Sequence, residues 1–169
     1  MLDIKDDKVL VISKYALDRK QYNTEYTDVT WETFTLRKWQ NNEFTNTAFS
    51  SDKKEKISVV TISTDENPEY NTNSGNAIQD QVFLLSITEA NTYFNSESTR
   101  MCEATNYAVA KGAYVNFVND NCWWWLRSPG YFQDVAAFVG SGGNIIERGF
   151  VAKDDVIAVR PALWINLNA

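Results

Sequence analysis

The sequence predicts a single α+β domain of short strands with two or three helices, and three observations carry the prediction. A chain of 169 residues lies in the range of one domain with a sizeable core. Hydrophobic residues make up 44% and aromatics 14%, more than a disordered chain holds, and no apolar run approaches the roughly 20 residues of a membrane span. Short runs rich in β-branched and aromatic residues alternate with capped stretches of helical spacing, with no internal repeat and no linker between them. Residues 1–169 are therefore read as one unit.

In order along the chain, Val9, Leu10, Val11 and Ile12 place a buried strand at 8–13. The polar stretch carrying Tyr15, Tyr22 and Tyr26 reads as a loop. Leu36 and Trp39, three apart, predict a helix over 33–42, with Thr33 as its cap and Asn41-Asn42 as its end. Phe44 and Phe49 flank a turn, 51–55 a capped helical turn, and 57–62 alternates as a strand. Asn, Asp, Pro and Gly make 64–79 a loop, long enough for a functional or mobile segment. Val82 to Leu85 is the next strand. It enters Ser86-Ile87-Thr88-Glu89, a capping box in which hydroxyl and carboxylate each bond the other residue's amide, and a helix follows over 87–94. A second short helix spans 106–111, stopped by Gly112. Strands follow at 136–139, 144–148 and 156–164, with Ser141-Gly142-Gly143 as a hairpin turn.

Composition removes several function classes. Sixteen Lys plus Arg against 22 Asp plus Glu give a net charge of -6 with no basic stripe, so nucleic acid is not an expected partner, and neither is membrane insertion. There is no histidine, which takes away the usual base of Ser/His/Asp and Cys/His catalysis and the commonest transition-metal ligand. Cys102 and Cys122 alone do not close a zinc site. They form either a disulfide, worth about 3 kcal/mol on the chain-entropy estimate, or two buried thiols. Met1-Leu2-Asp3-Ile4 runs straight into acidic residues without a secretory leader, leaving the compartment open between the cytoplasm and a phage or cell surface.

The run Cys122-Trp123-Trp124-Trp125-Leu126-Arg127-Ser128-Pro129-Gly130 is read as the organiser of the core. Three adjacent tryptophans cannot all face one side of a strand, so the run is expected between two packed layers. Trp123, Trp124 and Trp125 are assigned to structure, with at most one reaching a ligand. Arg127 and Arg160 are expected to pair with a buried acid or with loop carbonyls, the alternative being a bidentate clamp on a carboxylate or phosphate. Pro129-Gly130 suits a type II turn with glycine at φ > 0, and Pro161 confines Arg160 to extended geometry at an edge or bend.

Several stretches together carry a resemblance: Val11-Ile12-Ser13-Lys14-Tyr15-Ala16-Leu17-Asp18, Leu36-Arg37-Lys38-Trp39, Val82-Phe83-Leu84-Leu85-Ser86, Trp124-Trp125-Leu126-Arg127-Ser128-Pro129-Gly130 and Val159-Arg160-Pro161-Ala162-Leu163. On these the chain resembles an uncharacterised domain of gut Firmicutes and their phages. That domain is similar, more distantly, to C-type-lectin-like folds of the formylglycine-generating-enzyme branch. There a strand leads into a Ser-x-x-Glu or Thr-x-x-Glu helix start, then a Trp-rich strand, then a closing strand with an arginine. Ser86 to Glu89, Trp123 to Arg127 and Val159-Arg160 take those places here. The resemblance implies a C-type-lectin-like domain of short antiparallel strands.

Some proteins of that fold are variable targets of diversity-generating retroelements, which randomise Asn codons near the C-terminus by replacing adenines. Tyr131, Phe132, Asp134, Val135, Phe138, Ile145, Arg148, Phe150, Asp154 and Val156 are each reachable from an AAC codon by changing adenines alone. The expected function is a non-catalytic module that binds a protein or carbohydrate ligand through a solvent-facing surface over 131–156. Its residues are Tyr131, Phe132, Gln133, Asp134, Phe138, Ile145, Arg148, Phe150, Asp154 and Asp155, with rigid aromatics as the contacts. No cofactor is expected. Glu66-Asn67-Pro68 and Asn119-Asp120 are in the wrong order for calcium-lectin ligands, so no metal is expected either. The alternatives are a structural or assembly domain of a phage particle or surface protein, and an oxidase relative, for which Cys102 and Cys122 are wrongly spaced.

Overall fold

Asp6 and Asp7, both in the left-handed region at φ 48° and 59°, fold the start of the chain into a tight hairpin in the computed structural model, which describes residues 1–168. The hairpin joins β1 (Asp3–Lys5) to β2 (Lys8–Ile12). β2 pairs antiparallel with the last strand, β11 (Ala162–Asn166), and β11 pairs with β6 (Val82–Phe83), giving a four-stranded sheet in the order β1-β2-β11-β6. A five-stranded sheet runs β3 (Asp18–Arg19), β10 (Ala158–Val159), β7 (Trp124–Pro129), β8 (Val135–Val139), β9 (Ile145–Val151). Its pairs are antiparallel except β10 with β7. A two-stranded ribbon, β4 (Val60–Ile62) with β5 (Ile78–Asp80), stands apart. The protein is thus an α+β domain of mixed helices and mainly antiparallel sheets. No helix among the described residues is long and apolar enough to cross a membrane.

The strand expected over 156–164 is two strands in different sheets. Pro161 has no N–H to give a ladder and holds Arg160 extended, so the chain leaves the five-stranded sheet after Val159 and enters the four-stranded one at Ala162. The break is sealed by Ser13 N donating to the Pro161 carbonyl at 3.0 Å.

β7 is buried at every position, as the tryptophan run demands, because both faces of its sheet are covered. Trp124 and Trp125 are fully buried, and each indole N–H finds a carbonyl: Arg100 at 3.1 Å and Lys20 at 2.9 Å. Both arginines take the structural role. Arg127 holds the Glu89 carboxylate with both terminal nitrogens (Nη2 to Oε1 2.9 Å) and donates to the carbonyls of Ser63 and Leu84. Arg160 lies over the Trp124 and Phe94 rings and donates to the Ser13 carbonyl at 3.1 Å.

Glu89 serves two structures at once. It closes the capping box of α4 (Ile87–Tyr93), accepting from Ser86 N at 3.0 Å while Ser86 Oγ accepts from Glu89 N at 3.1 Å. The helix start is therefore tied to β7 through Arg127, and again by Ile87 N donating to Ser128 Oγ. α6 (Asn106–Ala110) ends at Gly112, φ 95°, as its glycine predicts. α5 (Glu97–Arg100) is an extra turn, opened by Ser96.

The helix expected over 33–42 differs at both ends. It runs as α1 (Thr35–Trp39), a π-helical segment (Gln40–Phe44) and α2 (Thr45–Ala48), followed by the separate turn α3 (Ser51–Lys54). Thr33 spends its hydroxyl on the Thr30 turn, and Asn23 Oδ1 accepts from Thr35 N instead. Asn41 does not end the helix. Its side chain bonds the backbone of Gln81 and Val82 like a strand edge, with Nδ2 to the Val82 carbonyl and Oδ1 from both amides.

Candidate functional site

Gly130 ends β7 and starts the stretch read as a binding surface. It is not at positive φ, so the type II turn expected of Pro129-Gly130 does not form; Pro129 still pairs with Ala136 inside the strand. What requires glycine here is close approach: a Cβ would lie 2.5 Å from the Arg148 carbonyl and from Val135 Cγ1. Gly130 N donates to the Val135 carbonyl at 2.7 Å, and Tyr131 N to the Arg148 carbonyl at 3.0 Å.

Across from this turn β9 bulges. Ala136 opposes Phe150 and Phe138 opposes Ile146, so residues 147–149 face the single residue Ala137, with Gly149 at φ 77°. The bulge aims the Glu147 carbonyl at Asn67, a fully buried residue of the 64–79 loop. Asn67 Nδ2 donates to the carbonyls of Pro129 and Glu147, both at 2.8 Å, while its Oδ1 accepts from the amides of Glu69 (3.0 Å) and Tyr70 (3.2 Å). Thr72 Oγ1 donates to the Gly130 carbonyl, and Gln133 Nε2 to the carbonyls of Val29 and Asn73. The long loop is stapled down rather than free.

This scaffold gathers three rings and a cation. Tyr70 meets Tyr131 edge-on, centroids 6.2 Å apart; Phe132 lies 4.2 Å from Tyr131; the Arg148 guanidinium covers the Tyr131 ring at 4.9 Å. Phe132 is 60% exposed and Tyr70 36%. The Tyr70 phenol is held above its ordinary pKa, first by desolvation and then by a hydrogen bond to Glu69, so it remains a neutral donor. The rings support one another, so a ligand laid on them freezes little side-chain motion.

Of the other residues placed on this surface, Phe138 is corrected. It is 5% exposed and packs among Trp123, Trp125 and Phe150, because β8 lies inside the sheet with both faces covered. Ile145 and Phe150 are half-buried against the core, with Phe150 edge-on to Trp123. Gln133 works as a staple. Asp134 contributes its carbonyl to Ala152 N, and Asp154 Oδ1 caps Val156 N. Asp155 pairs with Arg19 on β3, at the far edge of the five-stranded sheet. The structure thus unites Tyr131, Phe132 and Arg148, and adds Tyr70, whose only sequence signal is its place in the oxygen-rich loop.

Cys102 and Cys122 are buried, unbridged thiols, joined through their backbones by Cys122 N to the Cys102 carbonyl at 2.8 Å. The Cys102 thiol is pulled below its usual pKa, first by a hydrogen bond from Cys122, and the Cys122 thiol is pushed up by the same bond. Among the described residues no cluster of three or more His, Cys, Asp or Glu is arranged to hold a metal ion.

One family matches the chain, described as a domain of unknown function (DUF6273), over residues 6–167. No curated protein and no solved structure matches it.

Proposed function

For a chain that belongs to the DUF6273 family, we propose a non-catalytic binding module with a C-type-lectin-like fold, recognising a protein or glycan through Tyr70, Tyr131, Phe132 and Arg148. The observation that carries this reading is the exposed cluster of rings in mutual contact, held on a hydrogen-bonded platform by the buried Asn67. The Phe132 ring touches Tyr131 yet stays 60% exposed, leaving most of its apolar surface uncovered. Arg148 beside it supplies a charge-assisted donor for a carboxylate or a sugar hydroxyl.

The fold reading draws support from the order of the parts: antiparallel pairing of the first and last long strands, a Ser-x-x-Glu helix start, a tryptophan strand, and an arginine closing the core. If the gene is diversified by a retroelement, the outward-facing Tyr131, Phe132 and Arg148 vary, whereas Val135 and Phe138 stay fixed as core. A near-copy of the 3′ coding end, Asn-rich at the varying positions and next to a reverse transcriptase, tests that part.

The binding reading is tested by screening the domain against arrays of glycans and of displayed protein ectodomains. The expected result is a saturable ligand whose affinity falls at least tenfold in Phe132→Ala and in Arg148→Ala, with the melting temperature unchanged. A ligand held equally well by the double variant, or a ligand-independent oligomer built on this patch, overturns it; the oligomer supports the structural-assembly role.

A further inference from the structure

A groove opens at the other edge of the five-stranded sheet, between β3 and the helix that passes from α1 into its π-helical segment. Its main cavity is about 510 Å³, and an adjoining one of about 400 Å³ shares Lys20, Trp39 and Glu43 with it. Both fall within the roughly 300–1,000 Å³ of small-molecule sites. β3 is only two residues long, so it leaves a gap that the helix flanks without filling. The π turn at Gln40–Phe44 resets the helical phase just after Trp39, a distortion frequent at functional sites.

The groove's polar groups are under-used. Trp39 is half-buried, and its indole N–H, open to solvent, has no acceptor among the described residues, unlike those of Trp31, Trp124 and Trp125. Lys20 Nζ lies 4.7 Å over the Trp39 ring and forms no hydrogen bond or ion pair among the described residues. Arg19 is ion-paired with Asp155, and its Nε, shut off from solvent, has no partner among the described residues. Lys38 and Glu43 are exposed and form no hydrogen bond or ion pair among the described residues. In a chain of net charge -6, Arg19 and Asp155 neutralise one another, which leaves the main cavity with the cations Lys20 and Lys38 against Glu43, and the adjoining cavity adds Asp18.

The geometry points to this groove as a binding site for a short acidic oligosaccharide. A pyranose ring places its apolar face on the Trp39 indole, displacing Lys20 towards the sugar carboxylate. Lys38 supplies a further charged donor, and the side chains of Gln21, Thr24 and Asn42 along the wall suit sugar hydroxyls. A neutral sugar leaves the cations unanswered, and a purely apolar ligand also strands the indole N–H. The site shares no residue with the aromatic patch and lies at the opposite edge of the sheet, so it stands or falls separately.

Titration with tri-galacturonate, sialyllactose and a neutral galactotriose, followed by heteronuclear NMR of the tryptophan indole N–H signals and by calorimetry, tests the site. At least one acidic sugar is expected to bind saturably and to shift the Trp39 signal. It should bind at least tenfold more tightly than the neutral one and weaken as salt rises. Lys38→Glu, at an exposed position, should lower affinity at least tenfold with an unchanged fold, and Phe132→Ala should leave it unaffected. Failure of both acidic sugars to bind, equal binding of the neutral sugar, full affinity in Lys38→Glu, or loss of binding in Phe132→Ala each overturns the assignment.

Discussion

Replacing Asn67 with alanine separates a platform built on one buried side chain from one held by many weak contacts. The truncation orphans the carbonyl of Pro129, which is buried, and that of Glu147, which is partly so. The amides of Glu69 and Tyr70 lose their acceptor near the surface and regain water. At about 1–3 kcal/mol for a buried group left unpaired, the two carbonyls together cost about 3 kcal/mol. For a chain of 169 residues, that lowers the thermal midpoint by about 10 °C. Asn67→Asp should be at least as damaging, because it keeps the acceptor for the two amides and turns a carboxylate towards two carbonyls. Thermal unfolding by circular dichroism measures both. Amide exchange at Glu69 and Tyr70 should rise in the alanine variant as Tyr70 comes away from Tyr131. A midpoint within about 2 °C of the parent, or an aspartate variant as stable as asparagine, refutes the reasoning.

Trp124→Ala removes a fully buried indole and should cost about 3–5 kcal/mol, whereas Phe132→Ala should change stability by no more than about 0.5 kcal/mol; urea unfolding of the pair shows whether core and surface have been assigned the right way round. The buried Tyr22 phenol donates to the Arg127 carbonyl at 2.7 Å and is held well above its ordinary pKa, first by burial and against the opposing charge of Arg127. Its neutral form therefore stabilises the fold fully below the unfolded tyrosine value of about 10, and that contribution is lost as pH climbs past it. Tyr22→Phe should cost about 1 kcal/mol at neutral pH and flatten the alkaline loss of stability, read from unfolding midpoints across pH. Gly143 sits at φ 84°, where a Cβ would meet the Glu97 carbonyl at 1.8 Å; Gly143→Ala should lose about 2 kcal/mol or more by the same assay.

Local signals were legible in the sequence because their partners lie within a few residues. The capping box at Ser86 and the glycine stop at Gly112 needed no knowledge of the fold, and the strands of the second half followed from their composition and hairpin glycines. Where a partner comes from far along the chain, the reading failed. Asn41 looks like a helix end by type, yet its bonds run to Gln81 and Val82. Phe138 looks like a contact residue by type, yet β8 is closed on both faces, so no alternation marks an outer side. Pro161 predicted the bend at Arg160 but not the change of sheet. Tyr70 is brought to the patch by a loop anchored through Asn67, whose bond to Pro129 spans 62 positions. The groove beside Trp39 depends on a π turn that the sequence does not mark.

The pairing of β2 with β11 also sets how the domain answers to force. Lys8 lies opposite Asn166, and Leu167 N donates to the Asp7 carbonyl, but the hairpin at Asp6-Asp7 carries the chain back along β1, so that Asp3 lies opposite Leu10, towards the other end of β2. β1 and β11 therefore run parallel on either side of β2, and opposed tension on Asp3 and Asn166 loads both ladders in shear, straining their bonds together. A sheet tied in this way resists pull along its strands and gives way more readily to pull across them.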